Sequence, residues 1–156
     1  MENGLSSNQK MIVFQLQDEE YAVPVSQIGS IERHQPITRV PQTLPYVKGV
    51  INLRGIVIPI IDLRLRFGMK ETDFDEKKRI IIAQMNEIEV GLIVDAANDV
   101  IDISKELIEP APEVIGTVNA DYIEGVAKID SRLLILLDLE KVLSSQEKNA
   151  MNVVEG

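Results

Sequence analysis

Short apolar runs separated by turn residues dominate the chain, and they predict strands instead of long helices. Residues 11–16 (MIVFQL) and 79–85 (RIIIAQM) are almost continuously apolar, as strands buried on both faces are. In residues 21–25 (YAVPV) large side chains alternate along the run, which is typical of a half-buried strand. Many short strands joined by turns indicate sheets closed into small barrels.

Two longer segments predict β-hairpins of one design. Residues 47–63 turn at Arg54-Gly55, where glycine can supply the positive φ that a tight hairpin loop requires. Residues 123–139 turn at Asp130-Ser131, the equivalent position of the second hairpin. The two hairpins are therefore expected to be similar in structure.

The similarity extends to an internal duplication. Residues 49–67 align with residues 125–143 at an offset of 76, so that Gly49 matches Gly125 and Asp62 matches Asp138. Upstream, residues 15–25 align with residues 84–94 at an offset of 69, and the difference fits a longer connection around residues 109–122. A duplicated unit predicts two similar modules packed together, and the seam between modules is a favoured place for binding.

The pattern also predicts a short helix after the second strand of each copy. In the first copy Ser26 can cap the helix, and the apolar stripe has a spacing of three: Val25, Ile28 and Ile31. The equivalent cap in the second copy is Asp95, and the stripe is Val94, Ala97 and Val100. A helical turn is expected over residues 63–67, and a terminal helix over residues 140–148.

Composition narrows the class of protein. With 156 residues, 45% of them hydrophobic, the chain can bury a core. The net charge of −9 argues against nucleic-acid and membrane-surface roles, because phosphates and anionic lipids repel it. Without cysteine there can be no disulfide or thiolate metal site, which fits a reducing compartment. No signal pattern or membrane-spanning stretch is found, so we expect a cytoplasmic protein with flexible tails at residues 1–9 and 149–156.

Candidate catalytic chemistry is sparse. There is no phosphate-binding loop or dinucleotide fingerprint, and the single histidine, His34, has no Ser or Asp arrangement around it. Residues 73–76 lack the glycine and distal glutamate of a calcium-binding loop. Asp62 and Asp138 could form a carboxylate pair, but each precedes a short helical turn, and repetition of one residue in one context favours capping. We therefore expect no enzyme, no metal and no cofactor.

Arg54 is a candidate for binding because the copies differ there: its counterpart is Asp130. An arginine at an exposed hairpin tip between apolar strands is a common interface anchor. A solvated turn arginine fits the sequence equally well.

Several segments in order resemble one family. They are DEEYAVPVSQIGSIER near the start, the run PQTLPYVKGVINLRGIVIPIIDLRLRFGM at residues 41–69, VGLIVDAANDVIDIS at residues 90–104, PAPEV at residues 110–114, and YIEGVAKIDSRLLILLDLEKVL near the end. Together they resemble the chemotaxis coupling proteins, the CheW family, from about residue 10 to residue 143.

The resemblance implies an all-β fold with short helices: two similar, intertwined five-stranded barrels of SH3 type, plus a C-terminal helix. It implies a single domain over residues 10–143, with a first half of about 10–70 and a second half of about 78–143, between which strands can be exchanged.

The resemblance also implies a non-enzymatic adaptor. Such proteins link the cytoplasmic tips of chemoreceptors, the methyl-accepting chemotaxis proteins, to the regulatory domain of the chemotaxis histidine kinase CheA, and so control its autophosphorylation. We expect a monomer when free, recruited through protein contacts to receptor clusters and arrays at the membrane, without membrane insertion or nucleic-acid binding.

Site residues follow by position from the resemblance. Receptor tips would bind in a groove between the barrels, formed by Ile28, Ser30, Ile31, Thr38, Gly91, Ala97 and Val100, with Arg54 nearby. The kinase would contact the first barrel at Gly49, Asn52, Leu53, Arg54, Gly55 and Ile56. A further contact, closing rings of adaptor and kinase, would involve Glu113 and Val114. Position 30 departs from the acidic residue expected in some relatives, since this chain has Ser30, with Glu32 two positions on.

Other contexts and another class of protein compete with this interpretation. The same module could serve a chemosensory pathway other than motility. Hybrid couplers and kinases carry it too, but the chain ends at Gly156, which leaves no room for a receiver or ATP-binding domain. A small-ligand-binding or enzymatic barrel could use the seam as a pocket, but the sequence lacks convergent polar residues for that role.

Overall fold

The protein is described from a computed structural model over residues 8–41, 44–73, 75–85, 87–111, 114–115 and 118–143. Its strands are β1 (Asn8–Leu16), β2 (Glu19–Pro24), β3 (Ile28–Arg33), β4 (Val47–Leu53), β5 (Ile56–Asp62), β6 (Arg79–Met85), β7 (Ile88–Val94), β8 (Ala96–Ser104), β9 (Ile108–Glu109), β10 (Val114–Ile115), β11 (Val118–Asn119), β12 (Ile123–Ile129) and β13 (Arg132–Leu137). Two α-helices, α1 (Leu63–Arg66) and α2 (Leu139–Val142), and three single 3-10 turns, Val25–Gln27, Lys105–Leu107 and Ala120–Tyr122, complete the described elements. None of these helices is long enough to cross a membrane.

The strands form two main sheets that each combine both copies of the repeat. The five-stranded sheet has the order β3-β6-β7-β5-β4, and the six-stranded sheet has the order β8-β1-β2-β13-β12-β9. Parallel pairs join the copies, β5 with β7 in one sheet and β13 with β2 in the other. The first two strands of each copy thus pair with the hairpin of the other copy, which confirms the expected intertwined arrangement.

One sheet has a strand more than the five expected. The extra strand is β9, which pairs with β12 at only two positions. The five-stranded sheet has a reduced version of the same contact, a single bridge between Thr38 and Val50. The two sheets are therefore alike apart from the length of this pairing.

The duplication is preserved element by element. Adding 76 to the bounds of β4 and α1 gives the bounds of β12 and α2, and adding 76 to the first residue of β5 gives the first residue of β13. Both copies also make the same backbone contact. The Asp62 amide donates to the Tyr46 carbonyl at 2.9 Å, and the Asp138 amide donates to the Tyr122 carbonyl at the same distance. The predicted hairpins are confirmed with these bounds.

Buried side chains form three clusters. One cluster has members from the five-stranded sheet alone, a second from the six-stranded sheet alone, and the largest has members from both sheets and so lies between them. Strand β6 shows the alternation: Ile80 and Ile82 belong to the first of these clusters, while Ile81 and Ala83 belong to the shared one. The continuous apolar runs of the sequence exist because such strands are buried on both faces.

The two helices predicted after β2 and β7 are wrong. Ile28 and Ile31 lie on β3, preceded by one 3-10 turn whose N-cap is Pro24, so Ser26 caps nothing. Ala97 and Val100 lie on β8. A helix of two turns has little stability of its own, and pairing of these β-branched segments with β6 and β1 outweighs it.

The short helices after the hairpins are confirmed where they are described. Helix α1 ends with Phe67 as its C-cap, followed by Gly68 at a φ of 80°. Helix α2 begins one residue before the predicted terminal helix, and the part of that prediction beyond residue 143 lies outside the described residues. Strand β1 begins at Asn8, so residues 8 and 9 belong to a strand instead of a tail.

Candidate functional site

The tip of the β4–β5 hairpin is exposed and combines apolar side chains with a cation. Arg54 and Gly55 both have positive φ, 53° and 85°, and the Gly55 amide donates to the side-chain oxygen of Asn52 at 2.9 Å. Ile56 is 53% exposed and Val57 is 38% exposed. The turn therefore presents Asn52, Arg54 and Ile56 of the predicted kinase surface to solvent.

Arg54 reaches from this tip to β3, the edge strand at the other end of the strand order of the same sheet. Its Nη2 lies 3.6 Å from Oε2 of Glu32 on β3, a carboxylate that is mostly covered while the arginine is mostly exposed. The pair brings the predicted kinase surface and the β3 part of the predicted receptor surface together. Sequence reasoning named Glu32 only as a neighbour of position 30.

Two further members of the predicted kinase surface support the hairpin from within. An added Cβ on Gly49 would lie 2.1 Å from the Thr38 carbonyl oxygen, so only glycine fits there. Leu53 is half-buried and packs against the cluster whose members come from the five-stranded sheet alone. Glu113 lies outside the described residues, and the backbone of Val114 forms part of β10.

On the receptor side, the structure places Ile28, Ser30 and Ile31 on the edge strand β3 and Thr38 in the segment between β3 and β4. Exposure alternates along β3: Ile31 is exposed, whereas Ile28 and Ser30 are half-buried. Thr38 is exposed, and its amide and carbonyl pair with Val50 of β4 at 2.9 Å and 2.8 Å.

The second-copy residues lie mainly on β8, the edge of the other sheet. Val100 is 52% exposed there and Ala97 is partly covered. Gly91 is buried in β7, where an added Cβ would approach Cδ1 of Ile60 to 2.5 Å. Gly91 could therefore contribute to a groove only indirectly, through the packing of its strand. The proposed groove would join edges of two different sheets.

An ion cluster that sequence reasoning missed holds the middle of β8. The Arg132 guanidinium donates to both carboxylate oxygens of Glu20 at 3.0 and 2.8 Å and to both of Asp99 at 3.1 and 3.0 Å. Asn98 also donates to Glu20, at 2.9 Å. The hydrogen bonds from Arg132 hold the pKa of Glu20 and that of Asp99 below their ordinary values. Asp99 is thus a structural partner of Arg132.

Asp95 is likewise not a helix cap. Its carboxylate accepts from Arg64 Nε at 2.7 Å, from Arg64 Nη2 at 2.6 Å and from the Gln17 amide at 2.8 Å. Burial raises the pKa of Asp95, but these hydrogen bonds outweigh burial and hold it below its ordinary value. The carboxylate is therefore ionised and paired.

The described residues also line surface pockets. One, of about 560 Å³, is lined by residues including Ser26, Lys105, Glu124 and Asp138. The other, of about 510 Å³, is lined by Arg33, His34, Glu76, Lys78 and Arg79. Across the residues that the structure describes, no three His, Asp or Glu side chains are grouped to hold a metal ion.

Comparisons with known proteins agree on one family. The model of the CheW-like domain matches residues 10–147. The chemotaxis protein CheW of Bacillus subtilis (strain 168) is 44% identical over 146 residues, covering 94% of this chain and 94% of that protein. That of Klebsiella aerogenes is 38% identical over 144 residues, covering 92% and 87%. The crystal structure of the scaffolding protein TtCheW from Thermoanaerobacter tengcongensis matches with a TM-score of 0.82 at 35% identity, over 89% of this chain and 94% of that one.

Proposed function

The chain belongs to the family of the CheW-like domain, as its motifs predicted, and from this we propose that it is a non-enzymatic scaffold of bacterial chemotaxis signalling. Its two intertwined barrels of SH3 type are the fold of that family's scaffolding protein. We propose that it couples the cytoplasmic tips of chemoreceptors to the regulatory domain of the histidine kinase CheA. It would act in the cytoplasm, brought to receptor clusters by protein contacts alone.

The observation that carries the proposal is the difference between the two hairpin tips. The first tip exposes Arg54 and Ile56, while the aliphatic side chain that follows is exposed at both tips, as Val57 and as Leu133. At the second tip Asp130 replaces the arginine, and the counterpart of Ile56 is Arg132, whose guanidinium is bound to two carboxylates. Exposed apolar side chains around an arginine are typical of an interface core. The kinase domain would therefore dock on the first hairpin.

The receptor side of the proposal uses the edge strands β3 and β8. Both expose an aliphatic side chain amid polar ones, Ile31 at 40% and Val100 at 52%. Receptor tips are expected to be helical hairpins, and an amphipathic helix binds through apolar residues laid into a groove. A groove between these two edges would suit such a partner.

The proposed mechanism is control through assembly. A scaffold changes kinase activity only if it binds one arrangement of receptor and kinase more tightly than another. Such differential binding requires surfaces that both partners can occupy at the same time.

Arg54→Asp tests the kinase contact. Reversing the charge at the hairpin tip should weaken binding of the kinase regulatory domain by about 2 kcal/mol, or roughly thirtyfold in Kd, as measured by calorimetry. The fold should survive, since Asp130 occupies the equivalent turn position in the second copy at a φ of 56°.

The matched control is Lys128→Asp, the same change of charge at an exposed position on the second hairpin. It should leave the affinity unchanged. Equal affinities for Arg54→Asp and wild type would remove the hairpin from the kinase interface, and an unfolded Arg54→Asp protein would make the residue structural.

A further inference from the structure

In the second copy the chain crosses from one sheet to the other through a single residue, Asp95. It lies between the end of β7, in the five-stranded sheet, and the start of β8, in the six-stranded sheet. The first copy crosses differently, through the 3-10 turn Val25–Gln27. A one-residue crossing leaves few backbone dihedral angles to set the direction of β8.

Four hydrogen bonds hold this crossing residue. Its amide donates to the Gln15 carbonyl at 2.9 Å, and its carboxylate accepts from the Gln17 amide and twice from Arg64. The Arg64 side chain is 14% exposed and that of Asp95 is 21% exposed. A bidentate arginine–carboxylate pair with this degree of burial fixes orientation as well as distance.

Arg64 is itself anchored to the β4–β5 hairpin. It lies in α1 directly after β5, its amide donates to the Asp62 side chain at 2.9 Å, and its Nη1 donates to the Lys70 carbonyl at 3.1 Å. A continuous path of directional contacts therefore runs from the hairpin through α1 and Arg64 to the start of β8.

The fold of the repeat does not require this pair, because the other copy lacks it. The counterpart of Asp95 is Ser26, and the counterpart of Arg64 is Glu140. A serine and a glutamate cannot form an ion pair. The contact is therefore a feature of one side of the molecule alone.

The remaining contact between the sheets includes a second arginine. Arg66 Nε donates to the Val142 carbonyl at 2.7 Å, and its guanidinium lies 5.0 Å from the ring centroids of both Tyr46 and Tyr122. Arg66 and Val142 are equivalent positions, as are Tyr46 and Tyr122. This contact thus joins equivalent positions of the two copies, whereas Arg64 binds a different partner, Asp95.

Most of the contact between the sheets is an apolar cluster, and apolar attraction is non-directional. Arg66 can fix a pivot between the sheets, but one point does not fix the angle about it. A second directional contact, with different partners, fixes that angle.

We propose that Arg64 and Asp95 are a positioning pair that sets the angle between the two sheets and so links the kinase-facing hairpin to the receptor-facing edge of β8. The link between partners rests on the proposed function. The setting of the angle does not, so the two parts can be tested separately.

The first test measures the angle in the free protein. The chain has no cysteine, so Val57→Cys and Leu133→Cys give one exposed spin-label site on each sheet. Arg64→Gln should broaden and shift the distribution of distances between the labels, well below the melting temperature. Arg64→Lys keeps the charge but not the two-point contact and should give a smaller change.

Arg132→Gln is the matched control for this measurement. It removes an equally bidentate arginine, on β13, whose partners Glu20 on β2 and Asp99 on β8 both lie in the six-stranded sheet. Its distance distribution should match that of the parent protein. An unchanged distribution in both Arg64 variants, or an equal broadening in Arg132→Gln, would overturn the positioning role.

The second test measures transmission between partners. The affinity for a receptor-tip fragment is compared with and without saturating kinase regulatory domain. In wild type the ratio of the two affinities should differ from one, and Arg64→Gln should bring it to one. A wild-type ratio of one, or a ratio unaltered by the variant, would overturn the link. A wild-type protein that binds neither partner would instead refute the proposed function, and the distance measurement would still decide the role of the pair.

Discussion

At the scale of the residue, two equivalent aspartates perform one task in different surroundings. Asp62 accepts from the amides of Arg64 and Leu65 at 2.9 and 3.4 Å, and Asp138 accepts from the Glu140 amide at 3.1 Å. Asp62 is buried, and burial raises its pKa, against the opposing effect of those amides and of the Lys78 charge. The cap is therefore useful at Asp62, while its charge carries a penalty.

Asp62→Asn should separate the cap from the charge. Asparagine caps as well as aspartate does, so at pH 7 the variant should be at least as stable as wild type, because the penalty of the buried charge is absent. Since the folded pKa of Asp62 is raised, wild type regains that stability as the pH falls toward the ordinary value of 3.8, and the advantage of the variant should vanish there.

Denaturant unfolding at neutral pH and at about pH 4 measures the difference, with Asp62→Ala as the control. Alanine loses the cap and should be less stable than asparagine by about 1 kcal/mol at both pH values. An asparagine variant less stable than wild type at pH 7 would show that the charge is favourable.

At the scale of the element, the hairpins and the edge strands differ in how locally they are specified. Each hairpin has its own turn chemistry, and both turns were predicted from it. The edge strands β3 and β8 read as helices in the sequence, because apolar residues three apart share one face of a helix, whereas in a strand they lie on opposite faces, as Ile28 and Ile31 do. Only their pairing with β6 and β1 makes these segments strands.

The glycine at the start of each hairpin is also set by a neighbouring segment. Gly49 has a φ of 141° and its missing Cβ leaves room for the Thr38 carbonyl; Gly125 makes the same close approach to the Glu109 carbonyl. Register shifts occur at both glycines. The repeat therefore retains glycine where another strand passes too closely for a side chain.

Gly49→Ala should lower the free energy of unfolding by about 3 kcal/mol, since it combines a clash with backbone with a strained φ. Gly55→Ala is the matched control: its φ is 85° and nothing lies within 4 Å, so strain alone should cost about 1 kcal/mol. Chemical denaturation compares the two variants. Equal losses would mean that the close approach at Thr38 does not limit stability.

At the scale of the whole molecule, the exchange of strands makes the two copies depend on each other. The five-stranded sheet needs β6 and β7 from the second copy, and the six-stranded sheet needs β1 and β2 from the first. Neither copy has a complete sheet of its own, although the sequence divides into halves. The unit of folding is therefore the entire domain.

Fragments 1–72 and 73–156, separated between α1 and β6, should each be largely unfolded alone and should fold when mixed. Each fragment lacks the central strands of a sheet, and unpaired strands are only marginally stable in water. Circular dichroism and amide NMR dispersion of the separate and mixed fragments measure this. A native-like spectrum from either fragment alone would show that one copy can complete a barrel by itself.

The sequence by itself determined the duplication, the hairpins, the caps at Asp62 and Asp138 and the family, because each can be recognised from residues close together in the chain. It also singled out Arg54 through its mismatch with Asp130. The exposed hairpin tip was thus predictable, since turn chemistry places it on the surface whatever surrounds it.

The tertiary structure alone decided the edge strands and every charged contact between distant segments. Arg64 meets Asp95, and Arg132 meets Glu20 and Asp99, only because strand exchange brings separate parts of the chain together. Local pattern cannot specify such pairs, because a charged residue in a sequence has many candidate partners and only the packed sheets select one. The proposed link between the kinase and receptor surfaces depends on that selection.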